Sequence, residues 1–140
     1  PGLDGRKMSK SYGNVIPIFT ERNNLSKLIK RIKTNSLEPG QPKEPSECSL
    51  FKILKAFGSP QEIEQMRRSY EEGLGWGKIK EVITEIVDNK LTPFREEYHK
   101  IISDRHHLET TLREGAEKAR EVATPVLESV RDAVGIKGFI

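Results

Sequence analysis

From residue 23 onward, apolar residues recur at the three-and-four spacing of helix faces. Leu25, Leu28, Ile29 and Ile32 make the first stripe, opposite Lys27, Lys30, Arg31 and Lys33. Asn23 or Asn24 is the expected cap, and the helix should end near Thr34-Asn35. Pro39, Gly40, Pro42 and Pro45 then exclude a helix, so 35–46 reads as an extended, hinge-like loop. Ser46 is the expected cap of a short helix with the stripe Leu50, Ile53, Leu54 and Phe57, stopped by Gly58. Ser59-Pro60-Gln61-Glu62 has the form of a capping box with proline at the first helical position. Ile63, Met66 and Tyr70 supply the buried side of that helix, and Gly73 ends it.

Gly73-Leu74-Gly75-Trp76-Gly77 reads as a turn anchored by burial of the Trp76 ring. A long helix is expected from about Lys78, with Ile79, Val82, Ile83, Ile86, Val87 and Leu91 on one side. Pro93 should kink it, because proline removes a hydrogen bond and clashes with the preceding turn. The stripe resumes in phase with Phe94, Tyr98, Ile101 and Ile102, so one kinked helix to Ser103 is favoured. Asp104 should cap a last helix lined by Leu108, Leu112, Ala116, Ala119, Ala123, Leu127, Val130 and Val134, with Gly135 at its stop. Its small residues invite close helix–helix approach; Pro125 should bend it, and the tail 136–140 should fray. The fold class is therefore all-α. A helical bundle, 23–140, is preceded by residues 1–22: a flexible loop and an apolar strap of Val15, Ile16, Ile18 and Phe19 around Pro17.

Composition narrows the class. Charged residues are 32% and apolar residues 34% of the chain, and no apolar run approaches the roughly 20 residues of a membrane span. A membrane partner is therefore not expected. The one cysteine, Cys48, excludes an internal disulfide and fits a reducing, cytoplasmic setting. His106 and His107 are adjacent, point apart on a helix, and like His99 lack ligand spacing, so no metal site is expected. The net charge of +3 hides an asymmetry. Residues 1–33 hold Arg6, Lys7, Lys10, Arg22, Lys27, Lys30, Arg31 and Lys33 against only Asp4 and Glu21; the rest of the chain is net acidic. A basic amino-terminal end suits a phosphate-rich ligand.

That end carries Lys7-Met8-Ser9-Lys10-Ser11, between Gly5 and Gly13. Each lysine offers a compact charge on a flexible stem, and the serines and loop N–H groups add donors for phosphate oxygens. By spacing alone such a run is more often a solvated loop, and a bare helical interaction module that carries it by chance is the alternative reading. The run has all five letters of the KMSKS signature of class I aminoacyl-tRNA synthetases. Pro1-Gly2-Leu3-Asp4-Gly5-Arg6 before it and Ser11-Tyr12-Gly13-Asn14 after it sharpen the match. With Thr34-Asn35-Ser36-Leu37-Glu38-Pro39-Gly40, Gly75-Trp76-Gly77 and Glu114-Gly115-Ala116-Glu117-Lys118-Ala119-Arg120, nearly the whole chain resembles the bacterial tryptophanyl-tRNA synthetases.

The resemblance implies a ligase that joins tryptophan to ATP, with Mg2+ on the nucleotide, and passes the amino acid to tRNA(Trp). Lys7 and Lys10 would be catalytic. Lys7, Met8, Ser9, Lys10 and Ser11 would bind ATP, stabilising charge on the leaving pyrophosphate. A unit charge pair at 4 Å is worth about 4 kcal/mol at a dielectric of 20 but about 1 kcal/mol in water, so the loop must exclude water to matter. About 4 kcal/mol is roughly a thousandfold in rate. The helices would be the anticodon-binding part, with Lys52, Lys55, Arg67, Arg68, Arg105, Arg113 and Arg120 as basic candidates. The chain has no starting methionine and no His-x-Gly-His, the companion motif of this class. It therefore reads as a carboxy-terminal fragment without the parent's α/β nucleotide-binding domain and tryptophan pocket. Such a fragment should be inactive alone and monomeric, from a homodimeric parent.

Overall fold

The structure, a computed structural model, describes residues 1–136. Among them the regular elements are all helical: α1 (Arg22–Arg31), α2 (Ser49–Phe57), α3 (Pro60–Glu71), α4 (Trp76–Ser103) and α5 (Arg105–Val134), with a single 3-10 turn at Lys10–Tyr12. Two compact units divide the chain, Pro1–Glu97 and Tyr98–Ile140.

The first unit holds the core. Leu25, Ile29 and Ile32 from the α1 segment meet Leu50, Phe51, Ile53 and Leu54 of α2, Met66 and Tyr70 of α3, and Ile79, Ile83, Val87 and Leu91 of α4. Leu3, from the amino-terminal loop, is buried with them. The predicted stripes thus face inward, with Leu28, Phe57, Ile63, Val82 and Ile86 at the core's half-buried edge. Phe51 is an addition: it lies one residue off the α2 stripe and meets Tyr70 edge to face at 5.4 Å.

Helix starts differ from expectation where the cap is not a side chain. α1 begins at Arg22, because the extended backbone of Glu21 precedes it; Asn23 and Asn24 lie inside its first turn. It ends at Arg31, earlier than Thr34-Asn35. α2 begins after Cys48, not Ser46, whose N–H donates to the Glu44 carboxylate at 3.0 Å. α3 starts as read: Ser59 and Glu62 form the reciprocal capping box, with Pro60 at the first helical position. α4 starts at Trp76, two residues before Lys78, and runs through Pro93 to Ser103 as one helix.

Residues 35–46 are tied to the α3–α4 turn. Gly40 N–H donates to the Gly73 carbonyl at 2.8 Å, and Lys43 N–H to the Tyr70 carbonyl at 2.8 Å. Lys43 is itself buried, its ammonium shared among the carbonyls of Glu38, Gln41 and Gly73 at 2.8–3.2 Å. Gly73 closes the turn at φ +82°, and a Cβ there would strike the Gly40 backbone at 2.4 Å. Trp76 is half-buried rather than buried. Its indole N–H donates to Asn35 Oδ1 at 3.1 Å, and its ring meets Tyr70 edge to face.

In the second unit, Asp104 caps α5 by accepting from the His107 N–H at 2.9 Å, and Gly135 ends it in the left-handed region. α5 contains no buried residue. The predicted stripe is helical but largely exposed: Leu112 is 66% and Val134 62% exposed. Periodicity identified an amphipathic helix; it did not supply a partner for its apolar side. The frayed tail expected from 136 lies outside the described residues from 137 on.

Candidate phosphate-binding loop

Residues 1–14 form a closed loop standing on the core. Leu3 anchors it: the side chain is buried, its N–H donates to the Asn14 carbonyl at 3.0 Å, and its carbonyl accepts from Lys33 N–H at 3.4 Å, just beyond α1. The two limbs touch at Gly2, where a Cβ would come within 2.6 Å of the Asn14 carbonyl oxygen. Gly5 N–H donates to the Gly2 carbonyl at 3.0 Å and turns the chain at φ +84°.

Asn14, only 2% exposed, ties base to tip. Its amide nitrogen donates to Asp4 Oδ1 at 2.8 Å and to the Lys7 carbonyl at 3.2 Å. Its side-chain oxygen accepts from Ser9 N–H at 2.8 Å. Asp4 also accepts from the Arg6 guanidinium, at 2.7 Å to the nearest nitrogen, and from Arg6 N–H at 3.1 Å. These bonds, with that from Asn14 foremost, hold the Asp4 carboxyl down at about 2. The Arg6 guanidinium lies over the Tyr12 ring, 4.5 Å from its centre.

The tip carries the sequence-predicted residues. Lys7, Lys10 and Ser11 are exposed, Met8 is 38% exposed, and Ser9 is half-buried. Ser9 leads into the 3-10 turn, and its hydroxyl lies 2.8 Å from that of Ser11. The structure thus brings the two serines together, and among the described residues neither lysine ammonium is paired with an acid. Each is available to an incoming anion. Sequence reasoning missed Asn14, Asp4 and Arg6 as the frame of the loop. The Asp4-Gly5 and Gly13-Asn14 pairs were the available signal, since Asx residues beside glycine favour side-chain-to-backbone bonds in turns.

Most of the basic candidates on the helices are engaged. Arg68 and Arg67 pair with Glu64 at 3.4 and 3.6 Å, and Arg105 with Glu109 at 2.7 Å. Lys52 lies 3.6 Å from Glu47, and Lys55 stands over the Phe51 ring at 5.5 Å. Lys27, Lys30, Arg31 and Lys33 form an exposed basic face on and just after α1. Among the described residues no group of three His, Cys, Asp or Glu side chains could hold a metal ion, and no helix is long and apolar enough to cross a membrane.

The loop and the helices α1 to α3 that carry it lie within one family match. The chain belongs to the class I tRNA synthetases of the tryptophan and tyrosine group, whose sequence profile matches residues 1–92. Within that class, the relatives it matches include tryptophan–tRNA ligases. It is 45% identical over 139 residues to the enzyme of Pseudomonas putida, covering 99% of this chain and 31% of that one. With the Neisseria meningitidis ligase the identity is 44% over 136 residues, 97% of this chain and 40% of the relative. The Campylobacter jejuni tryptophanyl-tRNA synthetase, solved with ADP and tryptophan, superposes with a TM-score of 0.84 at 36% identity, over 96% of this chain and 42% of that one. The chain thus spans between 31% and 42% of the length of these relatives.

Proposed function

We propose that these 140 residues are the phosphate-loop and helical part of a tryptophan–tRNA ligase. In the whole enzyme, ATP activates tryptophan to the adenylate, and the aminoacyl group passes to tRNA(Trp). The carrying observation is the display of Lys7 and Lys10 at the exposed tip of a loop whose base is fixed to the core. As the tryptophan carboxylate attacks the α-phosphate, negative charge grows on pyrophosphate. Cations that meet this charge mainly in the transition state raise the rate. Met8, Ser9 and Ser11 shape the loop against the nucleotide, the serines adding hydroxyl donors.

Mg2+ arrives with ATP. The only carboxylate of the loop, Asp4, is occupied by Asn14 and Arg6, so the loop offers the ion no free carboxylate. The basic face of Lys27, Lys30, Arg31 and Lys33 is the surface best suited to tRNA phosphates, and the helices beyond serve anticodon recognition. The working enzyme is cytoplasmic and homodimeric. The chain alone neither activates tryptophan nor binds ATP tightly, because only one side of the phosphate cage is on it.

The test is a chimera in which this chain replaces the corresponding 139 residues of the Pseudomonas putida ligase. Lys10→Ala should slow single-turnover adenylate formation by about a hundredfold to a thousandfold, with tryptophan affinity little changed. An unaltered rate would refute the reading.

A further inference from the structure

We infer that Asn14 is a positioning residue for adenylate formation, acting through Lys7 and Lys10; this deepens the phosphate-loop reading and rests on it. The Asn14 carboxamide reaches from one limb of the loop to Asp4 on the other and to Lys7 and Ser9 at the tip. One N–H goes to Asp4 on the base, the other to the Lys7 carbonyl, and the oxygen takes the Ser9 N–H. Both amide hydrogens are used, and the group is 2% exposed, so water does not substitute for either partner.

These bonds bracket Met8. They fix the peptide plane after Lys7 and the one before Ser9, and hence the direction in which Lys7 leaves the backbone. Ser9 is also the residue from which the 3-10 turn Lys10–Tyr12 starts, so its orientation sets where Lys10 begins. A lysine stem is long and flexible, and aiming its ammonium at a charge that exists only in the transition state depends on a fixed origin. Asp4 completes the device. Paired with the Arg6 guanidinium, it accepts from the Asn14 amide and thereby settles which end of the carboxamide faces Ser9.

Asn14 is buried beneath the loop tip and acts on the lysines, not on the substrate. An error of about 1 Å in the placement of a reacting or charge-stabilising group can cost around a hundredfold in rate. Asn14→Ala should therefore lower the single-turnover rate of the chimera by about tenfold to a hundredfold while the affinity for ATP changes by less than about threefold.

The decisive measurement is a double-mutant cycle with Lys10→Ala. If Asn14 works through Lys7 and Lys10, its loss is less than additive with Lys10→Ala, and adding Asn14→Ala to the variant that also carries Lys7→Ala slows the rate by less than about threefold. Full additivity, or a parent rate in Asn14→Ala when Lys10→Ala is slow, overturns the role of Asn14 and leaves the phosphate reading intact. A parent rate in Lys10→Ala removes the phosphate reading and the positioning role with it. Should Asn14→Ala fold poorly, Asn14→Asp keeps the volume but turns the two amide donors into an acceptor facing Asp4, and it should be as slow as the alanine variant. In the 140-residue chain itself, the Ser9 amide should lose its protection from hydrogen exchange in Asn14→Ala, which removes its acceptor. Retained protection is a second way to overturn the proposal.

Discussion

Arg95 donates from one terminal guanidinium nitrogen to Asp88 Oδ1 across 2.6 Å, with both side chains buried on α4. The second oxygen of Asp88 takes Arg22 of α1 at 3.3 Å, but that arginine is 59% exposed. The two partners should differ sharply in weight. Asp88→Ala strands a buried guanidinium whose Nε already has no partner among the described residues, and should cost about 3–5 kcal/mol. Arg22→Ala should cost no more than about 1 kcal/mol, since an exposed pair is screened by water and salt. Urea unfolding of the two variants decides it, and equal losses would contradict the burial argument.

The start of α3 offers a second test. Ser59 N–H and hydroxyl donate to Glu62 Oε2 at 2.7 and 2.8 Å, and Glu62 N–H returns a bond to Ser59 Oγ at 3.3 Å. The Ser59 N–H, then its hydroxyl, hold the Glu62 carboxyl below its usual range. Ser59→Ala should destabilise the chain by about 1 kcal/mol and Ser59→Gly by only a few tenths, read by urea unfolding.

This capping box was legible because all its partners lie within four residues. The core was legible for a similar reason: one helix period is enough to predict that Leu25, Ile29, Ile83 and Val87 turn inward. What escaped were contacts that join distant residues or involve the backbone alone. α1 and α2 start after Glu21 and Cys48, which offer no side-chain cap, so side-chain rules pointed instead to the nearby Asn23, Asn24 and Ser46. In the loop, the lysines stood out by type and spacing, but the role of Asn14 depends on partners five, seven and ten residues away. No periodicity encodes those contacts.

The end of α1 is closed by a residue from another helix. Lys80 of α4 donates to the carbonyls of Lys30 and Ile32, each at 2.8 Å. Its partial burial pushes the ammonium pKa below the usual value for lysine. Lys80→Met keeps most of the apolar stem and removes both bonds. The carbonyls are near the surface and can recruit water, so the expected loss is about 1–2 kcal/mol, a fall in Tm of roughly 3–10 °C by scanning calorimetry. Because the anchor of the loop, Leu3, bonds to Lys33 just beyond this point, amide exchange at Leu3 and Lys33 should rise in the same variant.

Acid sets a limit on the frame of the loop. Asp4 has a folded-state pKa of about 2 against an ordinary value of 3.8. A depressed acid stabilises the folded arrangement above its unfolded pKa and loses that contribution as pH falls through the folded one. The loop should therefore keep its frame at pH 5 and above, weaken below 3.8, and release Asn14 as pH approaches about 2. Carbon-13 shifts of the Asp4 carboxyl give the midpoint directly, and the Ser9 amide shift should follow it, since the two report on opposite ends of one carboxamide. Arg6→Ala removes one of the donors, so the Asp4 midpoint should rise toward 3.8 while the bond from Asn14 keeps it below. A wild-type midpoint at 3.8 would mean that in solution Asp4 lacks these partners, and the fixed origin for Lys7 and Lys10 would go with them.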